Sequence, residues 1–261
     1  MNYLRILAAY FRVALAGEVA YRVNFFFQLL QSLVSLVVAI AGRGVVFTYT
    51  DALGGWGQEE ILALIGVYLL VGGGIGLVIQ PGMQAFIESV RDGTLDFTLT
   101  KPEDAQLLIS IRGVNIWSLI DIMLGLGVLV YALARLGEAV GVVQTGEFLL
   151  MLTAGGVIIY SFFLILATLS FWFVRVENLL TIFQSMYEAG RWPVSLYPGW
   201  LRYGLTFIVP VAFATTVPAE ALTGRVTWVT MAIAVGIAVF LLIVSRYFWR
   251  AGLRHYSGTS A

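Results

Sequence analysis

The chain has 261 residues, 60% of them hydrophobic and only 11% charged, and its 15 basic and 15 acidic side chains balance to zero. The absence of cysteine excludes disulfides, thiolate metal sites and cysteine nucleophiles, the one histidine, His255, lies in the tail, and a neutral chain carries no electrostatic footprint for nucleic acid. Apolar runs of about 20 residues recur, the length that crosses roughly 30 Å of hydrocarbon, so the expected class is an all-α integral membrane protein.

Residues 1–22 place Leu4, Leu7, Phe11 and Leu15 on one helical face with Arg5, Arg12 and Arg22 among them, which predicts an amphipathic interfacial helix. A cleavable signal is disfavoured because Arg12 interrupts the apolar stretch and Tyr21-Arg22 stands where small residues should precede a cut. The first span is predicted over 24–46 and the second over 61–80, joined by a short polar link. Gly72-Gly73-Gly74 and Gly76 sit mid-membrane with no lysine following, so they predict close helix packing or a kink rather than a phosphate loop.

After the second span comes Glu88-Ser-Val-Arg91-Asp92-Gly93-Thr94-Leu95-Asp96, a charged, glycine-broken run within a cytoplasmic segment 81–105. It reads as a short helix held at the water interface, where a soluble partner would grip; the plainer alternative is a solvated loop whose charges only enforce topology. A third span is predicted over 113–134, a fourth over 148–174 and a last over 226–249. Asp121 lies about two turns into the third span, where a carboxylate is costly and so a candidate for contacting cargo or a coupling proton. The alternative is a hydrogen-bonded aspartate at a helix interface, with Asn115 or Ser118 nearby. Trp117, Trp172, Trp192 and Trp200 fit interfacial belts.

The stretch 177–225 admits two readings. Either 201–217 crosses, at the lower length limit for a helix, or 178–197 crosses and the segment 197–225, with Pro198, Pro210 and Pro218, forms re-entrant helices outside. The first puts 12 basic residues on one side against 3 on the other and the second 10 against 5; both place the termini and the Glu88 run in the cytoplasm, giving six transmembrane helices.

This arrangement resembles the permease subunits of type-2 ABC exporters. The resemblance is carried by the amphipathic N-terminal helix, Arg91-Asp-Gly-Thr-Leu95 followed by Lys101-Pro102, Arg175-Val-Glu-Asn178, Trp192-Pro193, Pro198-Gly-Trp200-Leu201 and Ile208-Val-Pro210. It covers most of the chain and implies that 88–95 is a coupling helix seated on a cytoplasmic ATPase and that the proline series is an extracellular re-entrant cap. In that reading Glu88, Arg91 and Asp92 exchange charge-assisted hydrogen bonds with the ATPase, Gly93 makes the turn, and Thr94 and Leu95 pack the elbow. It further implies a plasma-membrane dimer, of two copies or of one copy and a sister permease, driven by a pair of ATPases and exporting drugs, lipids or glycan-lipids. The residues agree on the energy source. No Gly-x-x-x-x-Gly-Lys-Ser/Thr occurs, and the only lysine, Lys101, follows a threonine, so ATP and Mg are expected on the partner and no cofactor on this chain. The competing classes are an ion-coupled secondary transporter or channel using Asp121, for which no inverted repeat is visible, and a scaffold that transports nothing.

Overall fold

The computed structural model describes residues 11–12, 22–136, 141–173 and 176–256, so the amphipathic helix expected over 1–22 lies almost wholly outside the described residues. The apolar runs become helices α1 (Arg22–Phe47), α2 (Gln58–Gly74), α6 (Leu119–Leu136), α7 (Val142–Thr168) and α12 (Trp228–Leu253). Among the described residues five helices, with α2 counted through to Arg91, are long and apolar enough to cross a membrane, and a bent pair over 199–222 is a sixth candidate. Among the described residues no strand forms beyond one bridge between Leu53 and Trp56. A long helix bonds its backbone groups internally, which is what lets such spans sit in hydrocarbon.

The second span overruns its predicted end. A π-turn over Ile75–Ile79 leads straight into α3 (Gln80–Arg91), although Pro81 stands in its first turn. Proline cannot supply the N–H that the Leu77 carbonyl would otherwise receive, and here the Asn115 N–H, at 2.9 Å, takes that role. The helix therefore survives a residue that should have ended it.

Glycines set how closely helices approach. A Cβ on Gly66 would lie 2.9 Å from the Leu129 nitrogen, and one on Gly73 2.8 Å from the Ile122 nitrogen, so α2 and α6 meet backbone to backbone. Within the predicted glycine run, Gly73 and Gly76 face that seam, Gly72 receives the Tyr187 ring, and Gly74 faces open space. At one rim the carboxylates of α2's first turn gather the neighbouring chain. Glu59 lies 3.6 Å from Arg43 and 3.8 Å from Arg135, while Glu60 takes Arg225 at 2.7 Å. Glu60 also accepts from the Gly57 N–H at 2.6 Å, and both acids are favourably placed at a helix N-terminus.

The contested stretch opens with α8 (Glu177–Tyr187), extended by single 3-10 turns over Glu188–Arg191 and Val194–Leu196. It climbs alongside α2. Gln184 bonds Gln80 at 2.8 Å, the Tyr187 hydroxyl donates to the Tyr68 carbonyl at 2.8 Å, and Leu196 reaches Gly54 at the Glu59 rim. Next come α9 (Gly199–Tyr203) with a π-turn over Gly204–Ile208, then α10 (Val211–Ala214) and α11 (Thr216–Leu222), the two arms bent by 68° at Val209-Pro210.

Both ends of this pair meet the same turn. Leu196 touches Gly54, while Arg225 bonds the Gly55 carbonyl at 2.7 Å and lies 5.3 Å above the Trp56 ring. Its bend meanwhile presses the Phe213 carbonyl against Gly155 in the middle of α7. The pair is bent where Pro210 breaks the helix, and 211–219 is buried against α7. In this cysteine-free chain, single cysteines at Ser195 and Thr227 should both label with an impermeant thiol reagent from one side of sealed membranes, and Lys101→Cys from the other. Labelling of positions 195 and 227 from opposite sides would mean a straight crossing.

Candidate functional site

At the end of α3 the charged run forms a turn rather than a separate helix. Glu88 and Arg91 belong to the last turn of α3, and Gly93 adopts φ +68°. The Thr94 N–H bonds the Ser89 carbonyl at 2.9 Å and the Gly93 N–H that of Val90 at 3.3 Å, the bonding pattern that lets a left-handed glycine close a helix. Glu88, Asp92 and Thr94 are exposed, Arg91 pairs with Asp92 at 3.2 Å, and Leu95 is fully buried beneath them. The chain then makes α4 (Asp96–Leu99), which holds the Phe97 ring 75% exposed to solvent.

Helix α5 (Ala105–Arg112) ties this turn to the bundle. Asp104 caps it, accepting from the Gln106 N–H at 3.0 Å and the Leu107 N–H at 3.3 Å. The same carboxylate takes both arms of the Arg246 guanidinium on α12, Nη1 to Oδ1 at 3.0 Å and Nη2 to Oδ2. Arg246 also donates to Gln106 Oε1 at 2.6 Å, Gln106 donates to the Tyr160 hydroxyl on α7 at 3.1 Å, and that hydroxyl pairs with Ser110 at 2.8 Å. Charge-assisted bonds of this kind are worth about 1.5–3 kcal/mol each. Side-chain exposures of 30% for Asp104 and 34% for Arg246 place this pair toward the low end.

The Arg246 hydrogen bond, helped by the Leu107 N–H and opposed by burial, holds the Asp104 carboxyl below its ordinary value of 3.8. A depressed carboxyl contributes its full stability above that ordinary value and loses it as pH falls through the lower folded one. The gap in apparent Tm between wild type and Asp104→Asn should therefore stay constant from about pH 8 to about pH 5 and close below about pH 4. A gap that shrinks near neutral pH would contradict this pairing.

Between α1, α2, α6 and α8 lies a polar chamber of about 360 Å³, lined among others by Gln28, Ser32, Gln80, Asp121, Gln184 and Arg191. A second lobe of about 280 Å³ brings in Gln84, Asn115 and Ser118. Ser32 and Asp121 share the wall of the first lobe. Asn115 uses its side-chain oxygen to cap a 3-10 turn, accepting from the Trp117 N–H at 3.2 Å. Arg191 donates to Ser35 at 3.2 Å and sits 5.2 Å from the centre of the Tyr68 ring. Carboxamides both donate and accept, so the lining can replace part of the water shell of a polar group. Among the described residues no cluster of three histidine, cysteine or carboxylate groups could hold a metal.

Residues 26–260 match the family of ABC-2 family transporter proteins, nine-tenths of the chain. The chain belongs to that family. No curated protein and no solved structure matches it. An ABC-2 transporter chain is the non-catalytic membrane component of its system, which agrees with the missing phosphate-binding motif.

In this ABC-2 transporter chain, Glu88, Arg91, Asp92, Gly93 and Thr94 share one exposed turn with Leu95 as its buried anchor, and Asn115 and Asp121 line one chamber. The turn and the chamber do not meet. Sequence reasoning passed over Phe97, Asp104 and Arg246. Asp104 sits where a cap should precede the apolar run 105–112, and Arg246 is a cation inside a membrane-length helix, so both carried a readable signal.

Proposed function

We propose that the chain is the permease half of an ATP-driven exporter, docking a cytoplasmic ATPase through the turn 88–101. The carrying observation is the exposed, glycine-closed turn with its bare Phe97 ring, at the end of α3 about 50 Å along the helix from the Glu59 rim. Charge supports the sidedness. With 178–197 crossing, 10 basic residues lie on the docking-turn side against 5 on the other, which puts that turn and both termini in the cytoplasm and the 199–222 hairpin outside the cell.

ATP and Mg then bind the partner ATPase. A second copy of the chain or a sister permease supplies the opposing wall of the path, since one protomer encloses only a side chamber. Asp121 and Asn115 line the part of the path through which a polar portion of the cargo would pass. Closure of the ATPases on nucleotide would push the docking turns and rock the spans as rigid bodies.

The test is purification of the tagged chain from its own membranes in mild detergent. An ATP-hydrolysing subunit should come with it, while the isolated chain should hydrolyse nothing. Ion-driven uptake by the isolated chain in vesicles would instead establish the secondary-transporter reading.

A further inference from the structure

Asp104 does two jobs with one carboxylate. Its Oδ1 is bonded to the first turn of α5, so the group is fixed to the docking segment, and both oxygens are gripped by Arg246 of α12, 142 residues away. Around this pair the inner face of α5 has its polar side chains engaged. Gln106 and Ser110 are buried, and both reach the Tyr160 hydroxyl of α7. Three residues further along α7, the Phe163 ring packs edge-on against Phe183 of α8, with centroids 4.6 Å apart. The next residue, Gln184, lines the polar chamber. A bonded and packed path therefore runs from the docking turn through α5 and α7 to the chamber wall, and the Asp104–Arg246 pair adds α12 to it.

We infer that Asp104 and Arg246, bridged by Gln106 to Tyr160, are positioning residues that transmit motion of the docking turn to helices α7 and α12. The inference rests on the docking reading above. A guanidinium clamped on a carboxylate from two directions resists rotation in a way a single bond cannot, so the docking segment and the spans move together. A contiguous path is only the physical precondition for coupling, and the test must show that its breakage uncouples.

The experiment uses the tagged complex with its native ATPase and a single reporter, Gln184→Cys, on the cysteine-free chain. The measured quantity is the change in thiol-labelling rate at this position when ATP, Mg and vanadate trap the ATPase. Asp104→Asn keeps the helix cap, because asparagine caps as well as aspartate, and removes the charge. It should leave the ATPase bound and hydrolysing while reducing the reporter response about tenfold, the scale of one charge-assisted hydrogen bond. Arg246→Gln should do the same, and the double variant should be no worse than either single, because the two residues act as one unit. A complex that brings down no ATPase in wild-type form would remove the docking reading itself. With the ATPase present, a full response in Asp104→Asn, or a wild-type reporter that trapping does not move, overturns the transmission role. Loss of the ATPase in the single variants also overturns it, because the pair would then serve assembly.

Discussion

Gly125→Leu should reduce recovery of monodisperse protein at least about tenfold, which a loss of roughly 2–3 kcal/mol suffices to produce in a marginally stable fold. A Cβ at this position would stand 2.5 Å from the Leu70 nitrogen, 2.8 Å from the Gly66 carbonyl oxygen and 3.0 Å from the Leu70 Cα. All three are backbone atoms of α2. No rotamer change relieves the clash, so α2 and α6 must separate along the seam that Gly66 and Gly73 also form. Gly127→Leu, two residues on, has nothing within 4 Å and should leave recovery unchanged. Size-exclusion profiles of the two variants, expressed side by side, decide the matter, and wild-type recovery of Gly125→Leu would show that the seam is not tight.

Helix positions were the legible part of this fold. An apolar run long enough to cross must form a helix in hydrocarbon, so 24–46, 113–134 and 226–249 came within a few residues of α1, α6 and α12. The chain stays helical beyond residue 80, through Pro81 to Arg91. The Asn115 N–H that bonds the Leu77 carbonyl comes from the link between α5 and α6 and leaves no local trace. The glycine run was rightly read as packing, yet the residues that bring α2 and α6 closest include Gly66 and Gly125, which stand singly in apolar sequence.

Long-range pairing set the limit for the candidate sites. Asp121 and Asn115 stood out as polar groups in or beside an apolar run, and they do line one chamber. Its other walls, Gln28 from α1 and Gln184 from α8, join them only through tertiary folding. The 177–225 stretch sets charge counting against proline breaks, and its long-range contacts at Gly54 and Gly55 leave no trace in the local sequence. Arg191, one of the two cations on which the charge counts differ, is bonded to Ser35 and stacked over Tyr68 inside the protein.

Phe97→Ala should weaken retention of the ATPase about 30-fold without lowering the stability of the chain. The ring is 75% exposed while its neighbours Leu95 and Thr98 are buried, so α4 is anchored from beneath and its outer face is left for a partner. Aromatic anchors that enter a desolvated pocket are the residues whose truncation typically costs about 2 kcal/mol or more, which corresponds to the stated factor. Glu88 and Asp92, exposed on the same turn, would sit at the rim of such a contact, where charges steer association more than they hold it. Reversing Glu88 should therefore slow binding in a salt-dependent way and change retention less than Phe97→Ala does. Gly93→Val should act differently again, because a β-branched residue at φ +68° costs about 1–2 kcal/mol and tilts the whole turn. The comparison is made by titrating the purified ATPase against wild-type and variant chains in mild detergent, with apparent Tm followed in parallel. Undiminished affinity for Phe97→Ala at unchanged Tm would move the docking contact away from this turn.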